Sequence, residues 1–425
     1  MLIKLYSLIY FILIPFVLIK GLLRKEGIKV FERFGFYSQE VDKDFSCIWL
    51  HAVSVGEINA IAPLVNQLRS RGENIVITTG TISGFETCKR TFDNLVTHVF
   101  FPIDLHFVIK KFFYHFKPKA VLVAETELWP NLMLFCRSNE VTISLINGRL
   151  SARTFKIYTK LIKVFRPILM SFDNIICQNQ LYAKRFKELG FRESSLSVSG
   201  NLKLEVRPSH DIGSHLEKKL DQLFYKRKII VLGSTHSKEE HFLKEAVCSL
   251  RDQFDDLLIV HVPRYKKRVK AIKAKYLRDG LMTITLDEFS DSSSDCHVLI
   301  VDRLGVLNYF YSKATVAIVG GSFEKRGCHN VIEPAFFGVP VIVGPHIENF
   351  EYEILRMEHS EILSIETTAL SLKDKLSAIL RGSDQGIEFK KKCEAFISSE
   401  QGGLQKTLRS LGYLTCFCVV FKPLI

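Results

Sequence analysis

CIWLHAVSVGEINA, residues 47–60, reads as a buried apolar strand (47–53), a tight connection (54–56) and a helix running on from Ile58 whose first turn contains Glu57. The positive end of the helix dipole lies there, so a carboxylate at Glu57 is expected to stay ionised. A first-turn Glu also simply favours a helix start, so what Glu57 does depends on what surrounds it.

Working outward, apolar and β-branched runs of the same kind recur: NIVITTG (74–80), HVFFPI (98–103), AVLVAE (120–125), TISLING (142–148) and NIICQN (174–179), with helical patterns between them. Such alternation predicts a parallel sheet covered on both faces. The polar, Pro- and Gly-bearing passage 200–223 reads as a linker. A second series follows: KIIVLGSTH (228–236), LLIVHVPRY (257–265), MTITL (282–286), HVLIVD (297–302), TVAIVGGS (315–322) and VPVIVGP (339–345). The expected fold class is therefore α/β with two Rossmann-like domains, and ligands are expected outside the carboxyl ends of the strands. The expected boundaries are an anchor at 1–25, a first domain at 26–205, a second at 206–410 and an apolar tail at 411–425. SDSSSD (290–295) reads as a surface loop.

The chain has 425 residues, 47% of them hydrophobic and 24% charged, which suits a globular protein of two ordinary domains. Its net charge of +13 asks for an anionic partner. The ten cysteines show no zinc spacing, and several lie in apolar runs, as expected of reduced buried thiols. Residues 5–19 form an uncharged apolar run, about 22 Å long as a helix at ~1.5 Å per residue, against ~30 Å of bilayer hydrocarbon. Both a span and a one-leaflet anchor are consistent with that length. Lys20, Arg24, Lys25, Lys29 and Arg33 outnumber Lys4 and the amino terminus, so the body is expected on the cytoplasmic side of the membrane.

P-loop and G-x-G-x-x-G patterns are missing, which disfavours a triphosphatase or a nicotinamide enzyme. KKRVKAIKAKYLR (266–278) is a basic helix, either a solvated face or a surface for lipid phosphate. Stacking aromatics and reader motifs for nucleic acid are missing beside it. Three strand-end sites in the second half suit an anion: Arg264 after VP, the turn in VDRLGVL (301–307), and the glycine pair, loop and helix start around Asn330 and Glu333.

HAVSVGE (51–57), TTGTISG (78–84), ETELWPNL (125–132), NGRLSAR (147–153), GNLKLE (200–205), LGSTH (232–236), VPRY (262–265) and the stretch 320–350, with FERFGFY (31–37) after the anchor, occur in one order. Together they resemble the bacterial membrane-anchored Kdo transferases, which move 3-deoxy-D-manno-octulosonic acid (Kdo) from CMP-Kdo to a lipid A precursor. The resemblance covers roughly residues 1–410. It implies the GT-B architecture, with the acceptor bound by the first domain and the nucleotide sugar by the second, and inversion at the anomeric carbon. It places the proton acceptor at Glu57 and transition-state stabilisers at Glu127 and Lys203. It places CMP contacts at Pro263, Arg264, Leu304, Gly305, Val306, Asn330, Val331, Ile332 and Glu333. Two departures stand out: Leu304-Gly305-Val306 replaces Met-Gly-Glu, and Gly327-Cys328-His329-Asn330 replaces Gly-Gly-His-Asn. The first is harmless if that turn acts through its backbone N–H groups.

The implied partners are CMP-Kdo, a lipid A precursor (lipid IVA, receiving one or more Kdo units) and an anionic membrane surface, with no nucleic acid, cofactor or metal. In the implied chemistry Glu57 deprotonates the acceptor hydroxyl, Lys203 offsets negative charge, and Glu127 orients Lys203 or stabilises the sugar cation. Alternatives are a GT-B transferase for another nucleotide sugar, a sugar-nucleotide epimerase, or a membrane-tethered binding protein without catalysis. His51 and His329 are expected to be structural.

Overall fold

The computed structural model describes residues 6–8, 10–12, 14–16, 19, 27–290, 295–382 and 386–413. Among them the chain forms two parallel sheets of seven strands. The first contains β1 (Cys47–His51), β2 (Ile75–Thr79), β3 (Thr97–Phe100), β4 (Pro118–Ala124), β5 (Thr142–Gly148), β6 (Asn174–Cys177) and β7 (Leu196–Val198), in the order 3-2-1-4-5-6-7. Every residue of β1 and β2 is buried. Trp49, Val76 and Val121 pack on one face, Ile48, Leu50 and Ile77 on the other. This double burial is why the strands read as continuous apolar runs rather than as alternating ones. The single polar atom of Trp49 is satisfied, its indole N–H donating to Thr78 Oγ1 at 2.8 Å.

The second sheet contains β8 (Lys228–Thr235), β9 (Leu257–Pro263), β10 (Thr283–Thr285), β11 (Val298–Ile300), β12 (Val316–Val319), β13 (Val341–Val343) and β14 (Leu363–Ile365), in the order 10-11-9-8-12-13-14. Strand order reverses beside β1 in one sheet and beside β8 in the other, and such points leave a crevice at the carboxyl ends of the strands. The two short strands at the sheet edges, β7 and β14, are absent from the sequence reading. Three residues with a serine at the centre leave too little pattern to recognise.

The chain divides into unit 1, residues 1–206 with 400–425, and unit 2, residues 207–399. The second domain expected at 206–410 therefore ends earlier. Glu205 Oε1 accepts from the N–H groups of Gly402 and Gly403 at 2.9 and 2.7 Å, and Gln401 Nε2 donates to Leu204 O at 2.8 Å. The helix Gly403–Ser410 then buries Leu408 in the core of unit 1.

Among the described residues no helix is long and apolar enough to cross a membrane. Of the expected anchor, residues 1–5, 9, 13, 17, 18 and 20–26 lie outside the described residues, as do 291–294 of the serine-rich loop and 414–425 of the apolar tail, Cys416 and Cys418 included. The described part of the first helix rests on unit 1. Asn131 Nδ2 donates to Ser7 Oγ at 3.1 Å, and Tyr10 and Ile14 pack with Ile103, Leu105 and Val108. The described cysteines are all free, and Cys248 alone among them is not fully buried.

Candidate active site

β1 passes through Ser54 into helix α1 (Val55–Arg69). Ser54 is the N-cap, its Oγ accepting from the Glu57 N–H at 3.4 Å while donating to Glu57 Oε1 at 2.8 Å. Glu57 Oε2 accepts from the Val53 N–H at 2.7 Å. The side chain thus folds back over the strand end, as in a capping box. The expected ionised state does not follow. Burial, reinforced by the negative charges of Glu125 and Glu127, pushes the carboxyl up to about 7 despite the hydrogen bonds from Val53 and Ser54. One helix terminus offsets ~0.3–1 kcal/mol, less than the two or more pKa units lost to desolvation and like charge.

Those like charges come from the end of the neighbouring strand. Glu125 directly follows β4, with φ +58°, its N–H bonded to Ile146 O at 3.0 Å. Its carboxylate meets Lys203 Nζ at 2.6 Å through Oε1 and Arg149 Nη1 at 3.7 Å through Oε2. Burial opposes ionisation of Glu125, but the two cations outweigh it and hold its carboxyl below the usual range. Among the described residues Glu127 forms no such pair. Burial and then the charge of Glu125 push its carboxyl up. Glu125, rather than Glu127, meets Lys203, so of the two roles expected of Glu127 the orienting of Lys203 falls to Glu125. The sign that could have revealed it is its place as the first polar residue past the apolar run of residues 120–124.

Lys203 lies in the 3-10 turn Leu202–Leu204, with both leucines buried, so it belongs to unit 1 and not to a solvated linker. Leu202 N donates to Asn147 Oδ1 at 3.0 Å, and Lys203 N to Asn201 Oδ1 at 3.1 Å. Asn147, with φ +50° at the end of β5, is thereby the peg that brings residues beyond β7 back to the β1–β4 crevice. A Cβ built on Gly56 would stand 4.0 Å from Lys203 Cε, which places the lysine against the first turn of α1. His51 is structural, as expected. It is buried, its Nδ1 is 3.0 Å from Thr78 Oγ1, and burial lowers its pKa to about 3.

In unit 2 the expected donor residues follow the carboxyl ends of β9, β11 and β12. Pro263 ends β9, and Arg264, exposed, donates its backbone N–H to Thr235 O at 3.0 Å. The loop after β12 is organised by Glu239, absent from the sequence reading. Its carboxylate accepts from the N–H groups of Gly321, His236 and Phe323 at 2.6, 2.9 and 3.1 Å. The glycine pair has a steric reason. A Cβ on Gly320 would lie 2.7 Å from Glu239 Oε1, and one on Gly321, at φ +76°, would lie 2.5 Å from Gly327 O. His236 Nε2 and His329 Nε2 are 2.7 Å apart and their rings stack.

The helix expected near Asn330 is one turn, Ile332–Ala335. Val331 is its N-cap, and Asn330 just before it braces the turn, Oδ1 accepting from Ile332 N at 3.1 Å and Nδ2 donating to Glu333 Oε1 at 3.0 Å. Leu304 is 75% exposed, Gly305 has φ +83°, and Val306 caps the helix Leu307–Lys313, so this turn presents backbone to solvent. Of the seven cations in residues 266–278, four are paired with carboxylates. Arg268 and Lys275 pair with Glu240, Lys273 with Glu288, and Lys266 with Asp287. Among the described residues no group of three His, Cys, Asp or Glu is placed to hold a metal ion.

A protein-family model described as 3-deoxy-D-manno-octulosonic-acid transferase (kdotransferase) matches residues 29–206. The chain is 32% identical to the 3-deoxy-D-manno-octulosonic acid transferase of Haemophilus influenzae over 387 residues, 89% of each chain. It is 29% identical to that of Chlamydia trachomatis over 391 residues, 90% of each. Among solved structures, a UDP-N-acetylglucosamine 2-epimerase aligns with TM-score 0.61 over 87% of this chain and 97% of its own. A glycosyltransferase from Rickettsia africae aligns with TM-score 0.60 over 88% and 100%. At 16% and 13% identity these two establish the GT-B type of fold and no more. The Haemophilus relative carries the assignment, its likeness covering 89% of the chain and so extending into both units, and by it the chain belongs to the 3-deoxy-D-manno-octulosonic acid transferase family.

Proposed function

We propose that the chain is an inverting transferase that moves Kdo from CMP-Kdo to a hydroxyl of a lipid A precursor, lipid IVA, in lipopolysaccharide biosynthesis. The observation that carries this reading is the Glu57 carboxylate, fixed at the end of β1 by Val53 and Ser54 and brought to a pKa of about 7. A base of that strength accepts a proton near neutral pH and can be reset by solvent. The acceptor oxygen bonds to the anomeric carbon as the bond from that carbon to the phosphate oxygen breaks. CMP departs with the electron pair, and the hydroxyl proton passes to Glu57.

Lys203, aimed by Glu125, offsets negative charge on the phosphate or the sugar carboxylate, and Glu127 stabilises positive charge on the sugar. Arg264 holds the phosphodiester. Pro263, the turn 304–306 and residues 330–333 complete the donor contacts, Leu304 and Gly305 through their backbone, which makes the departure from Met-Gly-Glu tolerable. The first helix is the attachment to the cytoplasmic face of the inner membrane. Exposed Leu8, Phe11, Ile12 and Ile19 support that, as does the excess of Lys and Arg after it.

The test is incubation of the full chain with CMP-Kdo and lipid IVA, followed by mass measurement of the lipid. A gain of one or more Kdo masses is expected, and none from the Glu57→Ala variant. An unmodified lipid with the unaltered chain would refute the reading.

A further inference from the structure

Between Arg149 and Asp173 the sequence contains no acidic residue, while Arg153, Lys156, Lys160, Lys163 and Arg166 fall within that stretch. It folds as two consecutive helices, α2 (Ala152–Lys160) and α3 (Ile162–Leu169). α2 has no buried residue and α3 only Leu169, so this pair lies on the surface of unit 1 with an unusual outer face. Arg153, Lys156, Ile157, Lys160 and Leu161 are all exposed and fall at i, i+3, i+4, i+7 and i+8, one continuous stripe. Ile157 is 45% and Leu161 51% exposed. The inner face is aromatic, Phe155 and Tyr158 packing on the core and Tyr158 stacking on Phe165 at 4.0 Å. Among the described residues, Arg153, Lys156, Lys160 and Lys163 form no ion pair with a carboxylate, in contrast to the basic helix of unit 2.

We infer that α2 and α3 lie on an anionic lipid bilayer, the cations meeting headgroup phosphates and Ile157 and Leu161 entering the boundary with the acyl chains. A protein partner is the poorer fit, because interface cores are depleted in Lys whereas this stripe is built on it. Position agrees. α2 begins three residues after Arg149, which pairs with Glu125, Tyr158 packs on the same core as Leu128 and Trp129, and the first helix is bonded through Ser7 to Asn131, so both elements adjoin the segment that contains Glu125 and Glu127. The inference rests on the proposed lipid acceptor, but its test does not need turnover.

The experiment is co-sedimentation of the full chain with vesicles of phosphatidylcholine alone or mixed with phosphatidylglycerol. It compares the unaltered chain with the triple variant Lys156→Gln, Lys160→Gln, Lys163→Gln and with Ile157→Ser, Leu161→Ser. Each cation near an anionic surface contributes roughly fivefold to partitioning, so the triple variant should bind the mixed vesicles about 10²-fold more weakly and the neutral vesicles unchanged. The serine pair should weaken both. Kdo transfer to acceptor dispersed in neutral detergent should be retained by every variant. Unchanged partition of the triple variant on phosphatidylglycerol overturns the inference. So does loss of transfer in neutral detergent with partition intact, which would make these lysines contacts for the acceptor's own phosphates. Absence of transfer by the unaltered chain, with the partition differences present, would sink the proposed function and leave this surface standing.

Discussion

Glu125 Oε1 and Lys203 Nζ lie 2.6 Å apart although 78 residues separate them in the sequence. The pair exists because Asn147 and Asn201 fold the segment after β7 back towards β4. Its two members have different tasks. Lys203 faces the first turn of α1, whereas Glu125 aims Lys203 and at the same time raises the pKa of Glu57.

Glu125→Gln should therefore cost kcat about 10²–10³, as removal of an oriented charge commonly does, with the donor KM little changed. Lys203→Ala should cost about as much, and the double variant hardly more, because each single change already breaks the unit. Costs that multiply in the double variant would show that the two residues act independently.

The raised pKa of Glu57 sets the pH profile. The carboxylate is the working form, so kcat/KM should rise with pH, half-maximal near 7, and level off above. In Glu125→Gln the remaining activity should have its midpoint at lower pH, because one of the two charges that raise the Glu57 pKa is gone. A midpoint that stays in place in this variant would assign the titration to another group.

The same shift has a cost in stability. Glu57 binds its proton more tightly folded than unfolded, so its contribution is fully present below about 4.5, the ordinary value, and is lost as pH rises through about 7. Glu57→Gln, which has no charge to bury, should raise Tm at pH 8, by the equivalent of up to about 3 kcal/mol, and have little effect near pH 4. Thermal denaturation at the two pH values decides it. A variant less stable at pH 8 would mean that the bonds to Val53 and Ser54 outweigh the charge effect.

What the sequence made legible follows from burial. Most strands read clearly because both sheet faces are covered and their residues had to be apolar, and the three-residue edge strand β10 because its residues are all β-branched, whereas the equally short edge strands β7 and β14 have a serine at the centre. Glu57 was visible as a lone carboxylate at a strand-to-helix junction, but its protonation was not, since that depends on its burial in the fold and on the charges of Glu125 and Glu127. Glu125 was obscured by the similar Glu127 two residues on, and the positive φ that separates their directions is not encoded in residue type. Glu239 was invisible for a related reason. Its three partners are backbone N–H groups distributed over two loops.

Glu239 accordingly supports a prediction for unit 2. Glu239→Ala would leave three buried donors without an acceptor, at about 1–3 kcal/mol each before relaxation. The loop at 320–330 should loosen, with CMP binding weakened tenfold or more by calorimetry and unit 1 unaffected. Arg264→Ala should weaken CMP binding comparably, by about 1.5–3 kcal/mol for a charged hydrogen bond, without loss of Tm. Glu239→Ala with full CMP affinity would show that the loop keeps its shape by other means.

The last prediction concerns a glycine with no charge at all. Thr81 caps the helix Ile82–Phe92, accepting from Gly84 N at 3.1 Å, and its hydroxyl donates to Val53 O at 2.9 Å. Val53 is the residue whose N–H holds Glu57. A Cβ on Gly84 would stand 2.8 Å from Val53 O and 2.9 Å from Thr81 Oγ1, too close for either to remain in place. Gly84→Ala should therefore move the base through Val53, and a displacement of about 1 Å at a reacting group can cost ~10² in rate. The overpacking itself should cost about 1–3 kcal/mol of stability. Thr81→Val removes the hydroxyl without the clash and should give a smaller loss of kcat, whereas CMP binding, a property of unit 2, should be unchanged in both. If Gly84→Ala lowers Tm but leaves kcat intact, Val53 does not transmit its position to Glu57.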